Sequence, residues 1–124
     1  DDLTECKVEN LWCNCLKWNI YQIDNIPIFL NYVNYKDIIE VTIKDEKLWY
    51  SKTIKESWYN KIRMFIINDW SKLNLEMQLI KNNIEFESIW NLYVLLYSNN
   101  EEKLNIVEFL NYYEAKWVLE YEIR

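Results

Sequence analysis

Histidine and glycine are both missing from the 124 residues of this chain. The first absence removes imidazole as a catalytic base, metal ligand or pH switch. The second removes the phosphate-cradling loops of the P-loop and dinucleotide types, whose tight turns and close backbone approach demand Gly. Left-handed backbone positions must then fall to other residues. Asn is the expected substitute, because its short polar side chain tolerates positive φ. Proline is nearly as scarce. The single one, Pro27, has no N–H to give to a strand ladder and biases Ile26 toward extended geometry, so it marks an edge or a bend. No apolar run approaches the roughly 18 residues of a membrane span. The sequence opens on Asp1-Asp2-Leu3, with neither the basic nor the apolar stretch of a secretory leader, and a cytoplasmic protein is the expectation. Cys6, Cys13 and Cys15 are one ligand short of a structural zinc set in a chain without His. They read as free, partly buried thiols, which predicts stability insensitive to both reductants and chelators.

What is present is apolar and acidic. Hydrophobic residues make up 51% and charged residues 27% of the chain, a balance that suits a globular protein long enough to need no staples. A single compact domain over residues 1–124 is expected, with a β-rich half at 9–60 and a second half at 61–123. The net charge is −6, and all of it resides between Glu85 and Glu122, where eight acids face only Lys103 and Lys116. Phosphate binding needs clustered Lys and Arg, so nucleic acid is not an expected partner.

The run Leu92 to Tyr97 is apolar or aromatic at every position. It is too short for an ordinary helix and is closed by Asn99-Asn100, which predicts a buried central strand over 91–98. Before it, residues 1–8 are weakly patterned and expected to fray. Leu11, Cys13 and Cys15 alternate with polar or large residues, and a second strand after Lys17-Trp18-Asn19 makes a hairpin. Ile38 to Ile43 and Leu48 to Ile54 flank the polar turn Lys44-Asp45-Glu46-Lys47, a second hairpin. From Lys61 to Ile67 a strand is expected, then a helix over 69–82 whose stripe is Trp70, Leu73, Met77 and Ile80, capped by Asn68 or Asp69 and stopped by Asn82-Asn83. After strands at 84–88 and 91–98, Asn100 is expected to cap a helix striped by Leu104, Val107, Leu110 and Tyr113, and a last strand runs over 116–123. The fold class is therefore α+β, with a small barrel-like β-rich half packed on a β-α-β-β-α-β, ferredoxin-like half.

These segments resemble the bacterial domain-of-unknown-function family 4265. The resemblance covers roughly Val8 to Glu122. It is carried by Tyr21-Gln-Ile-Asp-Asn-Ile-Pro-Ile-Phe29 following Leu11-Trp12, by Asp37-Ile-Ile-Glu40, and by Trp117-Val-Leu-Glu120. Where the family carries glycines, in a Ser-Gly-Asn-like segment and before the closing Trp, this chain has Ser57-Trp-Tyr-Asn60 and Glu114-Ala-Lys116. The resemblance implies no reaction, cofactor or catalytic residue.

The candidate sites follow. Asp37, Glu40 and Asp45 supply carboxylates, but nothing in their spacing aims two of them into one cleft. Ser57 with Lys61 lacks the strained elbow of an activated nucleophile. Phe65, Tyr93 and Tyr97 are expected on the sheet face away from the helices, where the β-rich half would cover them. No catalytic residue, metal site or cofactor is expected. The acids and aromatics suit a binder of a basic protein, with Glu101, Glu102, Glu108 and Tyr112 on the outer side of the second helix, Trp58 and Tyr59 in the loop before the strand at 61–67, and Asp45 on its hairpin. An immunity protein against a bacterial toxin, possibly a nuclease, is the concrete form of that reading. The alternative is a small-ligand or regulatory domain using a pocket between the halves near Trp12, Asp24 and Trp117.

Overall fold

Alternating burial organises the first part of the chain. In β2 (Leu11–Lys17) Leu11 and Cys13 point inward, as do Ile39 and Val41 of β4 (Ile38–Lys44). With Ile23, Val33 and Leu48 they form one apolar core. The structure, a computed structural model, describes residues 3–6, 11–30 and 32–123. It is a mixed α+β chain that divides into two compact units, residues 1–57 and 58–124.

The first unit is an antiparallel sheet in simple chain order, β1-β2-β3-β4-β5, with β1 at Leu3–Cys6, β3 at Ile20–Ile23 and β5 at Lys47–Lys55. Its edge strands β1 and β5 approach each other. Two sequence expectations change here. Residues 3–6 pair with β2, placing Thr4 opposite Cys13 and Cys6 opposite Leu11, instead of fraying; residues 1, 2, 7 and 8 lie outside the described ones. Cys13, fully buried, is disulfide-bonded, and only Cys15 is a free, exposed thiol among the described cysteines. Strand β1, which pairs with the strand of Cys13, is too short and polar to announce itself by periodicity, so the thiol's environment was not readable. The hairpin at Lys44-Asp45-Glu46-Lys47 is as expected, with Lys44 opposite Lys47 and φ positive at both Asp45 and Glu46, the signature of a two-residue type I′ turn.

The second unit is a four-stranded antiparallel sheet in the order β7-β8-β6-β9, with β6 at Asn60–Ile66, β7 at Phe86–Ile89, β8 at Leu92–Tyr97 and β9 at Leu119–Ile123. Strand β8 is interior, as its apolar run requires. Helices α1 (Lys72–Lys81, entered through a 3₁₀ turn at Asp69–Ser71) and α2 (Asn100–Glu114) contribute Leu75, Leu79, Ile106 and Leu110 to a core with Ile62, Met64, Ile66, Tyr93, Leu95 and Tyr97. Tyr93 and Tyr97 thus lie on the helix-packed side, not with Phe65. Six apolar residues in a row carry no phase, and only the register, Met64 opposite Tyr93, sets which face is which. The Tyr93 hydroxyl donates to Glu76, and burial first, then this bond, pushes the phenol well above its ordinary pKa.

The helix stripes also shift. In α1 the inward residues are Leu75 and Leu79, whereas Trp70, Leu73, Met77 and Ile80 are all exposed. In α2 Leu104 is exposed and Ile106 takes its place inside. Asn68 caps the 3₁₀ turn, accepting from Trp70 N–H, and Asn99, one residue before the expected Asn100, caps α2 by accepting from Glu102 N–H at 2.8 Å.

The absence of Gly is felt at the turns. Seven described residues have positive φ, but only Asn19 and Asn83 are the expected Asn; the others are Lys36, Asp45, Glu46, Trp90 and Trp117. Asn83 closes α1 in a Schellman pattern, with Ile84 N–H bonded to Leu79 O and Asn83 N–H to Ile80 O. Trp117 closes α2 in the same way, through Val118 N–H to Tyr113 O and Trp117 N–H to Glu114 O. A bulky residue at φ +61° pays about 1–2 kcal/mol that Asn partly escapes. Because Trp117 is 82% exposed, its side chain recovers little of this by burial. Trp117→Asn is therefore expected to raise the melting temperature by about 3–5 °C. A lower melting temperature would show that the indole contributes to the fold in spite of its exposure.

Candidate functional site

Helix α2 presents one continuous outward line. Glu101, Leu104, Glu108 and Tyr112 recur at three- and four-residue spacing, so their side chains neighbour one another along the helix, and all four are exposed, Leu104 at 65%. The line ends on Lys116, whose Nζ donates to the Tyr112 hydroxyl at 2.6 Å and lies 4.2 Å from its ring centroid. Leu104 belongs to this surface and was missed in sequence, where its spacing from Val107 suggested core.

Glu102 does not join the line. Its carboxylate accepts from Ser98 N–H at 2.7 Å and from Ser98 Oγ at 2.8 Å, and these bonds, the backbone one first, hold its pKa below the usual carboxylate range. Asn99 in turn accepts from Glu102 N–H, so the two side chains together tie Ser98 to the first turn of α2 in the manner of a capping box. Glu102 is therefore occupied in holding the helix start, and its charge also favours the positive end of the helix dipole.

The remaining expected residues divide between the units. Trp58, 83% exposed, and half-buried Tyr59 open the second unit ahead of β6, while Asp45 sits exposed at the tip of the β4–β5 hairpin in the first. Trp12 and Asp24 lie together in the first unit, joined by Asp24 N–H to Trp12 O, and Trp117 belongs to the second. The Asp24 carboxylate is taken up by Lys36 at 2.7 Å, a contact that raises the Lys36 pKa. Asn25 accepts from Trp12 N–H at 2.8 Å. Asp24 and Asn25 are thus engaged in local contacts of the chain.

A family model described as a domain of unknown function (DUF4265) matches residues 9–115. The chain belongs to the DUF4265 family. No curated protein matches it in sequence. Among solved structures it is similar to a hypothetical protein from Neisseria gonorrhoeae, at a TM-score of 0.73 and 19% identity over 98% of this chain and 89% of that one. At this identity the likeness speaks for the fold alone.

Two further features of this DUF4265 chain were not visible in its sequence. A polar cleft of about 230 Å³ in the second unit is lined by Tyr59, Asn82, Asn83, Glu85, Glu102 and Asn105, with Leu96 and Ile106 at its floor. It is smaller than the roughly 300 Å³ at which small-molecule sites usually begin. In the first unit Asp37, one of the carboxylates considered for catalysis, is 3% exposed. It accepts from Asn34 N–H at 2.8 Å and from Ser57 N–H at 2.7 Å, while Ser57 Oγ donates to Tyr35 O at 2.6 Å. Asp37 and Ser57 together latch the loop before β4 to the end of the unit. Ser57 is thus half-buried and engaged through both its N–H and its hydroxyl.

Proposed function

We propose that this DUF4265 protein is a non-catalytic module that binds a basic protein, in its most concrete form an immunity protein that neutralises a bacterial toxin such as a nuclease. In this reading its first unit is a small barrel-like sheet, its second unit is ferredoxin-like, and it works in the cytoplasm, where a toxin with an intracellular target would act. The observation that carries the proposal is the outward line of α2. Two carboxylates, Glu101 and Glu108, alternate with two exposed hydrophobic side chains, Leu104 and Tyr112. Charges of one sign steer encounter with a basic surface, and the apolar groups between them hold the complex once water is expelled.

The test is kinetic. The partner to be used is the basic product of whichever toxin-like gene a survey of the neighbourhood finds beside the one for this chain. Glu101→Lys with Glu108→Lys moves the net charge from −6 to about −2, since each exchange adds two charges, and leaves the Glu102 cap intact. Association with the partner is expected to slow at least tenfold and to lose most of its salt dependence, with the melting temperature unchanged. Tyr112→Ala is expected to act on dissociation. Unchanged kinetics in the folded double variant would remove α2 from the interface and leave Trp58, Tyr59 and Asp45 to be tested.

A second reading, a small polar ligand, is favoured by one observation, the cleft beside Glu102 and Asn105. A gene neighbourhood of metabolic enzymes, with no basic partner recovered, would move the choice to it.

A further inference from the structure

Helix α1 shows the same period twice, in opposite directions. Leu75 and Leu79 pack inward at 0% exposure, while Trp70, Leu73, Met77 and Ile80 stand out at 96, 70, 60 and 65%. The spacing of the outer set, three, four and three residues, is the alternating three-four repeat by which one helix meets another along a seam. A solvated helix face has no reason to keep that repeat. Isolated exposed hydrophobics are ordinary, but Leu73, Met77 and Ile80 on one short helix, with Trp70 on the 3₁₀ turn that enters it, form a patch.

We infer that this seam is where two copies of the chain associate, helix α1 against helix α1 in parallel about a two-fold axis. Charge selects the occupant. The chain carries −6 overall, and a copy approaching α2 would meet Glu101, Glu102, Glu108 and Glu114 against Lys103 and Lys116, a net charge of −2 on each copy. From Asp69 to Lys81, by contrast, two acids (Asp69, Glu76) are balanced by two bases (Lys72, Lys81). This helix can therefore meet itself without net repulsion. The flanking residues also choose the direction. With Trp70 and Met77 as the first seam layer type and Leu73 and Ile80 as the second, Glu76, whose Oε1 accepts from Tyr93 and whose Oε2 is left for an outside partner, and Lys81 fall on opposite borders of the seam five residues apart. That is the separation at which a parallel pair brings each Glu76 to the other copy's Lys81. An antiparallel pair would instead place Glu76 near Glu76. The four outer side chains bare on the order of 500 Å² of surface, so two copies bury about 1,000 Å², the lower bound of a specific interface. An interface at this lower bound belongs with weak, transient associations, and a dissociation constant of roughly micromolar order is the expected reading.

Sedimentation equilibrium of the intact chain over roughly 1–200 µM tests this. A monomer–dimer equilibrium is expected, weakened at least a hundredfold by Met77→Glu, whose melting temperature should match that of the parent at low concentration because the position touches no core. In a Cys15→Ser background, Met77→Cys is expected to form a disulfide-linked dimer on mild oxidation, since parallel packing sets residue 77 against its own copy. A chain monomeric throughout the range overturns the proposal. A dimer indifferent to Met77→Glu overturns it as well, and a dimer in which residue 77 does not cross-link overturns the parallel arrangement.

Discussion

Asp37→Ala is expected to remove about 3 kcal/mol of stability, lowering the melting temperature by roughly 10–15 °C. The size follows from what the carboxylate does. It is 3% exposed and is the acceptor for two backbone N–H groups, those of Asn34 and Ser57. A buried donor left without an acceptor costs about 1–3 kcal/mol, because water cannot replace the lost partner. The backbone of the same residue accepts from Ile23 N–H at 2.9 Å, so a loosened Asp37 would also disturb the approach of β3 to β4. Asp37→Asn keeps one acceptor oxygen and is expected to lose about half as much. Thermal unfolding followed by far-ultraviolet circular dichroism measures both. An Ala variant within about 2 °C of the parent would mean that the loop N–H groups find solvent, and that the latch is dispensable.

The second large effect concerns Cys13. Because it is disulfide-bonded in the core of the first unit, reduction is expected to lower stability by about 2–3 kcal/mol, and the melting temperature by roughly 5–10 °C. The crosslink acts mainly by restricting the unfolded chain, so the loss should appear without any change in the native circular dichroism spectrum. Cys15→Ser, which removes only the exposed thiol, should leave the melting temperature and its sensitivity to reductant as they were. A parent chain whose melting temperature is the same with and without reductant would return Cys13 to the free thiol expected from sequence.

The reasons for success and failure in reading this chain are local. Hairpin β4–β5 was legible because two alternating strands bracket four polar residues, and β8 because six apolar residues leave a strand no exposed face. The same uniformity concealed which side of β8 faces the helices, and so placed Tyr93 on the wrong side. In α1 the helical period was plain but its phase was not. Four large hydrophobics, Trp70, Leu73, Met77 and Ile80, outnumber Leu75 and Leu79, and a count by hydrophobicity buries the larger set. Strand β1 was missed because it owes its place to pairing with β2 and not to its own pattern. For the candidate site, the exposed acids of α2 were readable from its charge, whereas the capping role of Glu102 depends on the distance to Ser98, which no spacing rule supplies.

All seven tryptophans of the chain are exposed, the least so being Trp49 at 43%. Five of them, Trp18, Trp58, Trp70, Trp90 and Trp117, stand out almost fully, so most of the native tryptophan emission should already be that of indole in water, and unfolding should alter it mainly through half-covered Trp12 and Trp49. The seventeen per cent aromatic content then serves observation of a different event. Any partner that covers Trp58 or Trp70 will move indole from water into an apolar contact, so the chain carries its own optical reporter of association, more sensitive to what it touches than to its melting.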